Sequence, residues 1–147
     1  MSYAAAVDLS TRVATATVFV WLGMVVAISF LESPLKFRAP GVTLRIGLGI
    51  GQLIFRALNT AELLFAVIAA LALFTYDTSL RLDVALSVAV AALLFQLVLV
   101  RPLLSKRTSE VLAGDEGERS RAHYAYIALE LVKVVALVVA GITLLGT

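Results

Sequence analysis

Four stretches of about 20 apolar residues, each long enough to cross the roughly 30 Å hydrocarbon core of a bilayer, constrain this chain more than any other feature. They run over about 13–31, 53–75, 84–100 and 124–145, and together they occupy more than half of the 147 residues. Soluble domains carry about 25% charged residues, whereas here 61% of residues are hydrophobic, only 15% are charged and the mean hydropathy is +1.01. The expected fold is all-α: a four-helix transmembrane bundle forming one integral membrane domain over 1–147. With no Cys, one His and two Met, the chain cannot by itself build disulfides, thiolate metal sites, a covalent c-type haem or a bis-histidine haem. No metal or cofactor is expected.

Charge sets the expected orientation. Segment 32–52 holds Lys36, Arg38 and Arg45, and segment 101–123 holds Arg101, Lys106, Arg107, Arg119 and Arg121, whereas the opposite side has only Arg12 and Arg81. Lys and Arg close to the spans favour the cytoplasmic side, so both basic loops are expected in the cytoplasm and both termini outside, in the inner (plasma) membrane. MSYAAAVDLSTR has an acid before its only base, and the apolar run after it is too long for a secretory signal; the first run reads as a permanent span. The basic balance reflects attraction to anionic headgroups, and no nucleic acid partner is expected. The expected partners are the lipid bilayer and further copies or subunits in a homo-oligomer or membrane complex. Tyr3, Tyr76 and Tyr124 fall near span ends, where amphipathic rings sit at headgroup level.

Sliding the chain on itself by 68 positions superposes Pro34 on Pro102, Glu62 on Glu130 and Arg38 on Lys106. The expectation is a duplication, with units 10–75 and 78–143 related by a pseudo-two-fold axis along the membrane normal, the parallel kind of repeat. Each unit would be a hairpin: a span, a proline marking its exit, a basic linker, and a span carrying a glutamate. Proline lacks an amide donor and disfavours helix before it, so Pro34 and Pro102 are expected at span ends. The first linker, ESPLKFRAPGVTLRIGLGIGQ, is apolar enough to lie along the interface, and the second, SKRTSEVLAGDEGERSRAH, reads as a solvated turn around Gly114 to Gly117.

An ionisable residue inside a span is costly and points to function. At about 100° per residue, Arg56, Asn59 and Glu62 follow one side of the second span, with Gln52 one turn earlier. The plain alternative is a stripe that holds helices together by hydrogen bonds, with Arg56 snorkelling to the headgroups. Glu130 and Lys133 stand three residues apart on one helix face, and a mid-membrane ammonium needs a carboxylate, either Glu130 or Glu62. Such a group could be a register-fixing ion pair or a site whose protonation changes. Gly47, Gly49 and Gly51 lack the strand a dinucleotide fingerprint requires; Gly47 and Gly51 instead have the spacing for close helix approach. Gln96, Thr15 and Thr17 are expected to add interior hydrogen bonds, and His123 to be interfacial.

Two family resemblances follow from these residues. The four-span plan, Phe30 to Pro34 after the first span, Arg101-Pro102 after the third and a polar second span together resemble small bacterial membrane proteins of unknown function related to copper-resistance-D-like proteins. A eukaryotic four-span protein associated with cisplatin resistance is similar. That resemblance implies a membrane transport or tolerance role. The second resemblance is to the membrane-associated eicosanoid and glutathione metabolism family, whose second span carries an Arg-Ala-x-x-Asn-x-x-Glu pattern that helps bind glutathione. Asn59 and Glu62 match its Asn-x-x-Glu part, whereas Arg56-Ala57 stand one residue closer to Asn59 than that pattern has them.

The leading expectation is a non-enzymatic module, a transporter of protons or a cationic solute or a small-molecule binder. Glu62, Glu130 and Lys133 would form its internal site, with Arg56 and Asn59 at the cytoplasmic mouth. The alternatives are a glutathione transferase-like enzyme and a structural subunit. Because the chain has no cysteine, its topology is open to single-cysteine labelling. Cysteines replacing Ser2 and Thr78 should react with an impermeant maleimide in intact cells, and those replacing Ala39 and Ala113 only after permeabilisation; the reverse pattern inverts the orientation.

Overall fold

The computed structural model describes residues 2–74, 77–114 and 121–147. Tyr76, expected as a belt residue, and most of the turn around Gly114 to Gly117 lie outside the described residues. Four helices dominate: α1 (Tyr3–Arg38), α2 (Leu44–Leu73), α3 (Leu80–Leu112) and α4 (Arg121–Leu145). All four are long and apolar enough to span a membrane, and no strand occurs among the described residues. The chain is a multi-pass membrane protein.

Hydroxyl caps set three helix starts. The side chains of Ser2, Thr43 and Ser79 each accept a hydrogen bond from the amide three residues on, at 3.3 Å, satisfying a donor that the first turn leaves free. Between α1 and α2 the chain turns in five residues, 39–43, where Gly41 adopts φ +80°, a conformation glycine takes without a Cβ clash. The first linker is therefore almost wholly helical, with only a short turn between its two parts.

Both prolines depart from expectation. Helices α1 and α3 run through Pro34 and Pro102 instead of ending there, because a π-helical segment precedes each proline: Val26–Glu32 in α1 and Gln96–Val100 in α3. In these segments the Ser33 amide bonds to the Ile28 carbonyl and the Arg101 amide to the Gln96 carbonyl, five residues back. The wider turn makes room for a ring that would otherwise strike the carbonyl four residues earlier. Residues 105–112, expected in a solvated turn, accordingly continue α3. At about 1.5 Å per residue, α1 with 36 residues and α3 with 33 reach about 54 and 50 Å, well beyond the roughly 30 Å of hydrocarbon.

The helices follow one another around the bundle. The broadest packing is between α3 and α4, then between α1 and α2 and between α1 and α4; the seam between α2 and α3 is the thinnest. Toward the termini the interior is apolar and closely packed, with Ala14 and Val18, Ala66 and Ala69, Ala85 and Ala89, and Leu137 and Ala140 in one cluster. Alanine lets backbones approach, which is what drives association where lipid is as apolar as the helix surface. Large apolar residues such as Val135, Leu64 and Leu71 face outward, toward lipid. Ala89→Leu should therefore overpack this region and cost about 1–3 kcal/mol in unfolding of the detergent-purified protein, while lipid-facing Val135→Ala should change stability little.

Candidate functional site

Midway along the bundle, all four helices contribute to one buried polar cluster. Lys133 and Glu130 lie one turn apart on α4, Glu62 comes from α2, Gln96 from the π segment of α3, and Trp21 and Ser29 from α1. Trp21, Glu62, Gln96 and Lys133 are wholly buried, and Glu130 is 1% exposed. The Lys133 ammonium lies 2.6 Å from Glu62 Oε1, 2.9 Å from Glu130 Oε1 and 2.7 Å from Gln96 Oε1. Its three N–H groups thus have three acceptors, as a charge removed from water requires. Gln96 Nε2 donates to Glu130 Oε1 at 2.8 Å and to the Tyr126 carbonyl at 3.4 Å, and Ser29 Oγ donates to Glu130 Oε2 at 3.0 Å. Trp21 Nε1 donates to Glu62 Oε1 at 2.9 Å. Glu62 Oε2 is buried without a partner.

The structure brings Glu62, Glu130 and Lys133 together at one depth, since both carboxylates meet the same ammonium. Ionised throughout, the three groups sum to one negative charge, so the cluster reaches neutrality on taking up one proton. That is the chemistry the arrangement can perform: holding or releasing a proton inside hydrocarbon.

From this cluster a cavity of about 800 Å³ opens toward the end of the bundle that carries the basic residues. Glu130 and Tyr126 line it at cluster depth, while Gln52, Arg56, Asn59, Arg101 and Lys36 line its walls. Asn59 is 2% exposed, yet neither its amide oxygen nor its amide nitrogen has a partner, and Ser33 Oγ on the opposite helix is likewise buried and unpaired. Orphaned buried polar atoms of this kind are rare and call for an explanation. Arg56, the most exposed of the expected site residues, reaches both the cavity and the outer face beside Leu53 and Thr60. Lys36 is occupied, pairing with Glu32 at 3.3 Å and lying over the Phe55 ring.

Gly47 and Gly51 serve a different purpose from the expected helix contact. The Phe37 ring lies where a Cβ on Gly47 would project, and Lys36 Nζ would be 2.9 Å from one on Gly51, so the glycines seat side chains from the end of α1. Gln96 provides the interior hydrogen bonds expected of it. Thr15 instead donates to the carbonyl of Thr11 in its own helix at 2.7 Å, and Thr17 is buried. Trp21, Ser29, Ser33 and Arg101 were not anticipated. A signal existed for Trp21: a lone indole in an apolar run needs an acceptor for its N–H.

In comparisons with known proteins, no family model matches the chain, and neither curated proteins nor solved structures give a match. Lys133→Met would leave two carboxylates facing each other without a cation and should cost about 3–5 kcal/mol, measured by unfolding in micelles. Adding Glu62→Gln to that variant should restore part of the loss; equal stability of both variants would mean the three groups do not act as a unit.

Proposed function

We propose that this protein is a non-enzymatic solute-binding and transport module of the cell inner membrane, working through the Glu62–Lys133–Glu130 cluster. The observation that carries the reading is a cavity that meets the buried ionic cluster at Glu130 and holds the unpartnered Asn59 amide in its wall, while Glu62 Oε2 within the cluster is also unpartnered. A cluster serving only to join helices would be expected to satisfy its own polar groups and to leave no large chamber beside them. Solute enters from the basic end, which faces the cytoplasm under the positive-inside tendency. The apolar, alanine-rich packing toward the termini closes the other end, and uptake or loss of one proton by the cluster accompanies occupancy of the chamber.

The module is built from two similar hairpins. In support, the two π hydrogen bonds, Ser33 to Ile28 and Arg101 to Gln96, are separated by the same 68 residues that relate Pro34 to Pro102 and Glu62 to Glu130. Positions paired by that offset also face the one cavity, namely Ser33 with Arg101, Phe37 with Ser105, and Phe55 with His123. A site between two repeated halves is a common transporter arrangement.

Purified protein reconstituted in liposomes with a pH-sensitive dye inside should dissipate a proton gradient faster than empty vesicles. The Glu62→Gln, Glu130→Gln double variant should lose most of that flux. Wild-type flux in the double variant would remove the cluster from the transport path.

A further inference from the structure

We infer that the cavity receives a small organic anion, a carboxylate or phosphate carried on an apolar body, whose charged group is held by Arg101 with Arg56, Asn59 and Ser33. This inference rests on the binding role proposed above and names the class of solute.

Electrostatics decides the sign of the ligand. Among the described residues neither Arg56 nor Arg101 forms an ion pair, although both line the cavity and Arg101 is only partly exposed. A guanidinium stays charged in any protein setting and offers a planar fork suited to carboxylate or phosphate. The cavity's carboxylate, Glu130, is already committed: Oε1 accepts from Lys133 and Gln96, and Oε2 accepts from Ser29. A cation entering the chamber would meet two guanidinium groups without ion-pair partners, and the one carboxylate in the lining is already bonded, which argues against the cationic solute expected from the sequence. An anion would meet the opposite arrangement.

The orphaned groups include the donors an anion needs. The Asn59 amide nitrogen and the Ser33 hydroxyl are donors, are buried, lack partners and line the same chamber as Arg101. Size and lining then exclude a bare inorganic ion as the full occupant. The chamber, at about 800 Å³, falls in the range of roughly 300–1,000 Å³ typical of small-molecule sites, and Phe30, Phe55 and Leu104 give it apolar walls. The same chemistry is offered by a free solute from the cytoplasm and by the head of an anionic lipid.

The test uses phenyl phosphate, with benzylamine as a cation of similar size. Trp21 is the only tryptophan, and its hydrogen bond to Glu62 makes its fluorescence a reporter of the cluster, to be read beside calorimetric titration of the full chain in detergent. Phenyl phosphate should bind saturably and benzylamine should not. Arg101→Gln should weaken binding at least tenfold, Arg101→Lys should recover part of it, and Lys106→Gln, which is outside the cavity, should leave it unchanged. Binding of benzylamine alone, or unchanged phenyl phosphate affinity in Arg101→Gln, overturns the inference. Should Arg101→Gln fail to fold, competition between phenyl phosphate and excess phosphate against benzylamine on the wild type decides the sign. Native mass spectrometry from nanodiscs containing phosphatidic acid separates the sources: lipid retained on wild type and lost from Arg101→Gln makes the anion a lipid head, and phenyl phosphate binding without retained lipid makes it a free solute. Saturable anion binding without proton flux would keep this inference and remove the transport reading. Proton flux without anion binding would do the reverse.

Discussion

An ammonium group in hydrocarbon has to find acceptors, and the position of Lys133 fixes much else. Its partners come from two other helices as well as its own: Glu62 on α2, Gln96 on α3 and Glu130 one turn away. Trp21 and Ser29 bring α1 into the same group through the two carboxylates. Apolar packing in lipid is weakly directional, since a helix sliding or turning against its neighbour exchanges one apolar contact for another. The ionic cluster removes that freedom by setting the depth and rotation of all four helices at one level.

The bundle is asymmetric about that level. Toward the termini small side chains close the interior, and toward the basic end the helices diverge around a chamber. The π segments stand at this change of character. Each carries a proline past the point where a regular helix would break, and each presents a cluster residue, Ser29 in α1 and Gln96 in α3. One local device therefore carries each helix past its proline and aims a polar group inward, consistent with the general concentration of π turns at functional sites.

Sequence reasoning reached the spans and the Glu62, Glu130 and Lys133 grouping, because both follow from the cost of charge in hydrocarbon. It reached Asn59 and Arg56 through helical periodicity alone. It failed where a local conformation altered that periodicity. Pro34 and Pro102 read as stops because a π turn has no composition of its own, and that same turn determines where Ser33 and Arg101 project. Residues 105–112 read as a loop because they are polar, although nothing in SKRTSEVL breaks a helix. Gly47 and Gly51 read as a helix contact because the side chains seated against them, Phe37 and Lys36, belong to a segment assigned to the linker.

The unequal seams give the bundle a spine and an open edge. The two hairpins are bound broadly along α1 and α4, whereas α2 and α3 meet along a narrow margin. The α2–α3 margin is therefore the seam whose separation would sacrifice the least packing.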